Sequence, residues 1–188
     1  MQLTTIRLHL REVLPQDIPA IHALNSIPEV DEYNTLGIPE SLATTQALVD
    51  EILVAQTALP QVRYVFVIED KATHAFMGLA GLLMGKPKFN AAELWYKLRP
   101  EYWLKGYTTE AAKALLQFGF RTLQLHRIEA CCATANTASY KVLEKCGFTR
   151  EAHARKILPI RGQWVDNYGY AILEEDYERQ FNPNNLLH

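Results

Sequence analysis

Between Glu93 and Arg121 the apolar pattern changes period, and that change constrains the fold more than any other feature of the chain. Glu93–Leu98 is bulky, aromatic and alternating, which suits a buried pleated strand. Arg99-Pro100 ends it, because proline cannot donate to a ladder. From Thr109 onward Ala111, Ala114, Leu115 and Phe118 recur on one helical face, with Lys113, Gln117 and Arg121 elsewhere. The joint is Trp103-Leu104-Lys105-Gly106-Tyr107-Thr108, a tight loop feeding a helix start. A helix start offers unpaired N–H groups and the positive end of the macrodipole. With Gly106 free to take positive φ and Lys105 adding a cation, such a loop suits an anion, phosphate above all. An ordinary strand-to-helix turn is the plainer reading of the same residues.

The rest of the chain narrows the classes. A length of 188 residues fits one domain with a real core. A net charge of -2 gives no bulk electrostatic case for nucleic acid. Arginines interrupt the N-terminal segment where a signal peptide needs an apolar run, and Met77–Gly85 is too short to span a bilayer. Cys131, Cys132 and Cys146 lack zinc-ligand spacing and read as reduced thiols of a cytoplasmic protein, with Cys131 and Cys132 on opposite faces of a strand. The six histidines form no metal pattern, so no metal is expected. Gly81-Leu82-Leu83-Met84-Gly85-Lys86-Pro87 resembles a P-loop only in passing: its glycine spacing is one short, and Pro87 stands where a hydroxyl is needed.

In chain order, Ile6–Val13 alternates as a half-buried strand, a helix opens at Pro15 and Asp17, and residues 25–39 form a long loop. Ser41 is a candidate N-cap for a helix to Thr57. Strands follow at Arg63–Glu69, Ala75–Met84 and Glu93–Leu98. After the central helix come a strand at Arg127–Ala133, a helix at Asn136–Lys145 closed by Gly147, and a hairpin of Phe148–Leu158 with Gln163–Leu173. The order β-α-α-β-β-β-α-β-α-β-β predicts an α/β (α+β) fold with a mixed, mostly antiparallel sheet flanked by helices. Residues 1–180 are expected to form a single domain and 181–188 a loose tail.

Three pieces together resemble the GNAT superfamily of N-acetyltransferases: the strand–loop–helix, the run Asn136-Thr137-Ala138-Ser139-Tyr140-Lys141-Val142-Leu143-Glu144-Lys145-Cys146-Gly147-Phe148, and the pair Arg7-Leu8-His9-Leu10-Arg11 with Gly162-Gln163-Trp164-Val165-Asp166. The last pair is similar to the ribosomal-protein N-terminal (RimJ/RimL-type) branch. That branch writes its loop Tyr-Trp-Gly-Lys-Gly-Tyr-Ala-Thr-Glu-Ala; here Leu104 replaces the first glycine and Thr108 the small residue. Many superfamily members place a tyrosine acid where this chain has Leu143.

The resemblance implies direct attack of an amine on the thioester of acetyl-CoA. It assigns the coenzyme to Trp103, Leu104, Lys105, Gly106, Tyr107, Thr108 and Thr109, to the strand end at Tyr96 and Leu98, and to Asn136, Ser139 and Tyr140. Asn136 as a plain N-cap is the rival reading of that residue. Ser139 is the implied general acid, with Tyr140 its competitor. Glu93 is the implied base, ahead of Glu151, Asp166 or solvent. Alternation sets Glu93, Trp95 and Lys97 on one face. Asp31, Glu32 and Tyr33 in the long loop are candidates to attract a cationic amine, either a peptide N-terminus or a small molecule. Two copies pairing through the closing hairpin is implied by analogy alone. The rival from another class is a catalytically silent CoA-binding domain.

Overall fold

The computed structural model describes residues 1–181. Eight strands form one sheet in the order β1-β2-β3-β4-β5-β6-β8-β7. They are β1 (Gln2–Thr4), β2 (Leu8–Glu12), β3 (Arg63–Asp70), β4 (Phe76–Met84), β5 (Ala91–Leu98), β6 (Arg127–Ala133), β7 (Thr149–Ile160) and β8 (Gln163–Leu173). Every neighbouring pair is antiparallel except β5 and β6. Among the described residues six α-helices accompany them: α1 (Ile18–Asn25), α2 (Pro28–Asp31), α3 (Leu42–Thr57), α4 (Tyr107–Gln117), α5 (Thr137–Lys145) and α6 (Glu174–Phe181). The expected mixed sheet with flanking helices is what the chain forms.

Two apolar layers clothe the sheet. Ala111, Ala112, Leu115 and Leu116 of α4 pack with Leu8, Phe66, Leu82, Leu94 and Leu143 on one face. Ile18, Ile21 and Leu24 of α1 and Val49 and Ile52 of α3 pack with Val65, Val67 and Leu79 on the other. A strand buried on both faces must be apolar throughout, and the run Val65–Ile68 is buried at every position. Ser41 does cap α3, its hydroxyl accepting from the Thr44 N–H at 3.3 Å. Gly147 takes φ 88° just beyond α5, which only glycine does cheaply.

The differences from expectation are local. β1 adds three residues ahead of the first strand, and Pro28 starts the one-turn α2 inside the long loop. After α4 the chain widens into a π-helical turn over Phe118–Thr122. There Gly119 lies so close to β6 that a Cβ would meet Ile128 Cδ1 at 2.6 Å. α6 takes up residues 174–180, to which the sequence pattern assigned no element, and Phe181, counted with the tail, is its last residue. The remainder of that tail, 182–188, lies outside the described residues.

Candidate active site

The loop ahead of α4 is built from left-handed backbone. Leu104 has φ 59° and is 98% exposed, so it holds a conformation normally left to glycine without burying its side chain. Gly106, at φ 81°, is the N-cap of α4 and supplies no capping side chain. The first backbone bond of the helix runs from the Glu110 N–H to the Gly106 carbonyl, so the amides of Tyr107–Thr109 precede the helical ladder. Alternating left-handed residues at a helix start draw successive N–H groups into a concavity suited to an anion. Lys105 is exposed beside it.

Arg7, outside the loop motif, braces this turn from the β1–β2 connection. Its Nε donates to Glu110 Oε2 at 2.7 Å, its N–H to Glu110 Oε1 at 2.8 Å, and its Nη1 to the Lys105 carbonyl at 3.1 Å. The guanidinium also lies over the Tyr107 ring, 4.2 Å from its centroid. In a trans peptide the carbonyl and the next N–H point opposite ways, so engaging Lys105 C=O turns the Gly106 N–H away from Arg7. Burial alone would raise the Glu110 pKa; hydrogen bonds from Thr5 and Arg7 outweigh it and hold the carboxyl below its ordinary value. No local pattern links residues 103 apart in sequence, and the Arg7-Leu8-His9-Leu10-Arg11 run was the one available signal.

From this loop β5 leads back to a gap in the sheet. β5 and β6 pair only at Ala91–Glu93 with Arg127–Glu129 and then diverge. The Arg99 N–H donates to Met77 O and Ala91 O accepts from the Gly85 N–H, so odd-numbered residues turn their polar groups toward β4. The even-numbered Leu94, Tyr96 and Leu98 therefore face the gap. The Leu98 carbonyl is already engaged by Trp103 Nε1 at 2.8 Å. A cavity of about 150 Å³ opens here, lined by Tyr33, Trp95, Tyr96, Cys131, Asn136 and Ser139 among others.

On the α4–α5 face of the gap, the Tyr96 hydroxyl donates to the Ser139 carbonyl at 3.0 Å and lies 3.1 Å from Ser139 Oγ. With the tyrosine proton committed to that carbonyl, the serine hydroxyl is the group free to donate. Burial drives the Tyr96 pKa far above the tyrosine range, against a small opposing pull from Ser139, so Tyr96 stays protonated. Asn136 Oδ1 accepts from the Ser139 N–H at 3.1 Å and so caps α5. Tyr140 turns to Tyr168, edge to face at 6.1 Å.

On the opposite face, Glu93 is exposed and accepts from Cys131 Sγ at 3.3 Å. Burial and the Glu93 charge push the Cys131 thiol up to about 11, which keeps it protonated. Lys97 reaches Asn25 Oδ1 at 2.8 Å. In the long loop Asp31 is buried, Glu32 is exposed and Tyr33 lines the cavity. Arg161, at the β7–β8 turn, holds the loop by donating to Pro28 O at 2.8 Å, with its Nε 3.7 Å from Asp31 Oδ2. Glu151 and Asp166 are engaged elsewhere, Glu151 with Arg127 and Asp166 with His153 and the Lys156 N–H. Among the described residues no cluster of His, Cys, Asp and Glu is placed to hold a metal, and no helix is long and apolar enough to cross a membrane.

Residues 7–149 match the model of the acetyltransferase (GNAT) domain, and this span contains the loop, the gap and α5. The chain belongs to the GNAT family. This GNAT acetyltransferase is 33% identical over 182 residues to the N-acetyltransferase YnaD of Bacillus subtilis, covering 94% of this chain and 99% of the relative. It is 34% identical over 89 residues to the ribosomal protein uS5-alanine N-acetyltransferase of Escherichia coli, covering 47% of this chain and 46% of that one. Its fold matches the spermidine N-acetyltransferase of Vibrio cholerae, solved with CoA and spermine, with a TM-score of 0.82 at 26% identity, covering 92% and 99% of the two chains. It is thus an acetyl-CoA-dependent N-acetyltransferase with the family's mixed sheet.

Proposed function

We propose that the acetyl group passes from acetyl-CoA directly to a primary amine at the gap between β5 and β6. The observation that carries this reading is the end of β5–β6 pairing at Glu93, which leaves gap-facing amides on the strand whose Tyr96 hydroxyl meets Ser139 and which leads on to the helix start at Gly106. The amides of Leu104, Gly106, Tyr107, Thr108 and Thr109, with Lys105 and the adjoining Trp103, fit the coenzyme's diphosphate. Tyr96 and the Leu98 N–H offer a strand edge to its amide-bearing arm, much as a sheet edge accepts an added strand. Asn136 and Tyr140 border that arm. Acetyl-CoA supplies the thioester; the remaining work falls to the chain.

An alkyl ammonium of pKa near ~10.4 has no lone pair, so the acceptor must first lose a proton. Glu93 receives it, directly or through water, while the acidic long loop with Asp31, Glu32 and Tyr33 attracts the cationic amine. A gap-facing β5 amide polarises the carbonyl as it gains charge. Ser139 Oγ–H protonates the departing thiolate while Tyr96 fixes the hydroxyl's position. Peptide N-termini and small amines are the acceptor classes named for the relatives.

Thiol release from acetyl-CoA with a panel of peptides and amines tests the reading, alongside CoA calorimetry. Turnover with at least one amine is expected. CoA binding without turnover of any acceptor would reduce the chain to a silent CoA-binding domain, and absence of binding would remove the site altogether.

A further inference from the structure

Two segments that no strand pairing joins meet on the acceptor side of the gap. One is the stretch 28–38 of the long loop, which brings Tyr33 to the cavity. The other is the outer part of the β7–β8 hairpin. β6 ends its pairing with β8 at Ala133 and Asn167, so the hairpin beyond that pair overhangs the sheet. Between the Ala154–Asn167 and Leu158–Val165 pairs β7 uses more residues than β8, a bulge that bends the arm. Asp166 fixes the bend, its Oδ1 accepting from the Lys156 N–H at 3.0 Å and its Oδ2 lying 2.9 Å from His153 Nε2. The arm is therefore a firm support for the side chain at its tip.

That side chain is Arg161. Ile160 pairs with Gln163, leaving Arg161 and Gly162 as a two-residue turn with φ of 48° and 74°. Such a turn, left-handed at both positions, is most cheaply written Asn-Gly or Asp-Gly. Arginine has no local reason to stand there, since it pays the left-handed strain without the side chain that suits the turn. Its contacts lie instead in the long loop: Nη2 donates to Pro28 O at 2.8 Å, and Nε lies 3.7 Å from Asp31 Oδ2. Among the described residues these are the side-chain hydrogen-bond and ion-pair contacts that residues 28–38 receive from outside their own stretch. The loop's other bonds, such as Asn34 N–H to Asp31 O and Leu36 N–H to Asn34 Oδ1, are local. Beyond Asp31 packing holds little, Leu36 being 76% exposed, so the ties at 28–31 decide where Tyr33 stands.

Resting on the acetyl-transfer reading above, we propose that Arg161 is a positioning residue: it clasps the hairpin tip to the long loop and so holds Tyr33 as the wall against which the acceptor amine is seated. Arg161→Asn separates this role from a structural one, because it improves the turn while removing the reach. Kinetics on the full chain use acetyl-CoA with the tetrapeptide amide Ala-Gly-Ala-Tyr, spermidine and hexylamine. For the acceptor that turns over fastest, KM should rise about tenfold, the worth of a charge-assisted hydrogen bond, while kcat changes less than about twofold. Acetyl-CoA affinity and melting temperature should hold. Arg161→Lys, which can still donate to Pro28 O, should recover most of the loss. Tyr33→Ala should raise KM as well, and adding Arg161→Asn to it should cost less than about twofold more, since both act through one wall. Deuterium exchange over residues 28–38 should quicken in Arg161→Asn, with 104–109 unchanged. An unmoved KM, an equal loss of CoA affinity, a full extra loss on the Tyr33→Ala background, or unchanged exchange in the loop would overturn the proposal and leave acetyl transfer standing. Absence of turnover with every amine, CoA still binding, would overturn the acetyl-transfer reading and this proposal with it.

Discussion

The two banks of the gap are made of different material. At the α4 end the geometry is set by the main chain, through two left-handed residues, Leu104 and Gly106, steadied from behind by Arg7. Under α1 and α2 it is set by side chains from remote segments: Lys97 of β5 bonded to Asn25, and Arg161 reaching over from the β7–β8 turn to Pro28 and Asp31 of the long loop. Main-chain recognition depends on φ and ψ and so tolerates changes in side-chain identity, as Leu104 in a glycine's place illustrates. Side-chain recognition depends on who the neighbours are.

The contrast can be broken in graded ways. Ser139→Ala should have the largest effect, lowering kcat by about 10²-fold, the ordinary worth of a positioned proton donor, with acetyl-CoA affinity intact. A loss of affinity instead would make Ser139 a coenzyme contact rather than the acid. Gly106→Val comes next. An L residue in left-handed geometry costs about 1–2 kcal/mol, so the dissociation constant for acetyl-CoA should rise about tenfold by calorimetry. An unchanged constant would show that the loop's backbone does not set affinity. Arg7→Gln removes the brace on the Lys105 carbonyl but touches no residue of the gap, so about a fivefold weakening of CoA with unaltered acceptor preference is expected. Leu104→Gly should act in the opposite direction, relieving strain of the order of ~1 kcal/mol and raising the melting temperature by a few degrees.

The same division decides what could be read before folding. The strand–loop–helix, the N-caps at Ser41 and Asn136 and the turn at Gly147 are local, because each depends on residues within a few positions of one another. The alternation that put Glu93, Trp95 and Lys97 on one face is equally local, and its consequence for the cavity is not. Whether that face was lined or solvated depended on α1 and α2 folding over it. Asp31 read as one acid in a polar loop; its burial comes from the packed fold, with Arg161 arriving from 130 positions later. Tyr96, a candidate by its strand position alone, brings its hydroxyl to Ser139 across 43 residues. α6 has a local signal as well, because Glu174, Glu175 and Asp176 are acids in a first turn and favour a helix start.

The early end of β5–β6 pairing also gives the middle of the molecule the behaviour of a rim. Leu94, Tyr96 and Leu98 belong to the fifth of eight strands, yet on one side they keep the open ladder of an outermost strand. Their amide protons should therefore trade with deuterium far sooner than those of β3 or β4, and fall silent when the coenzyme is added. An interior that exchanges like a border, until its missing neighbour arrives, is a strand position held in reserve.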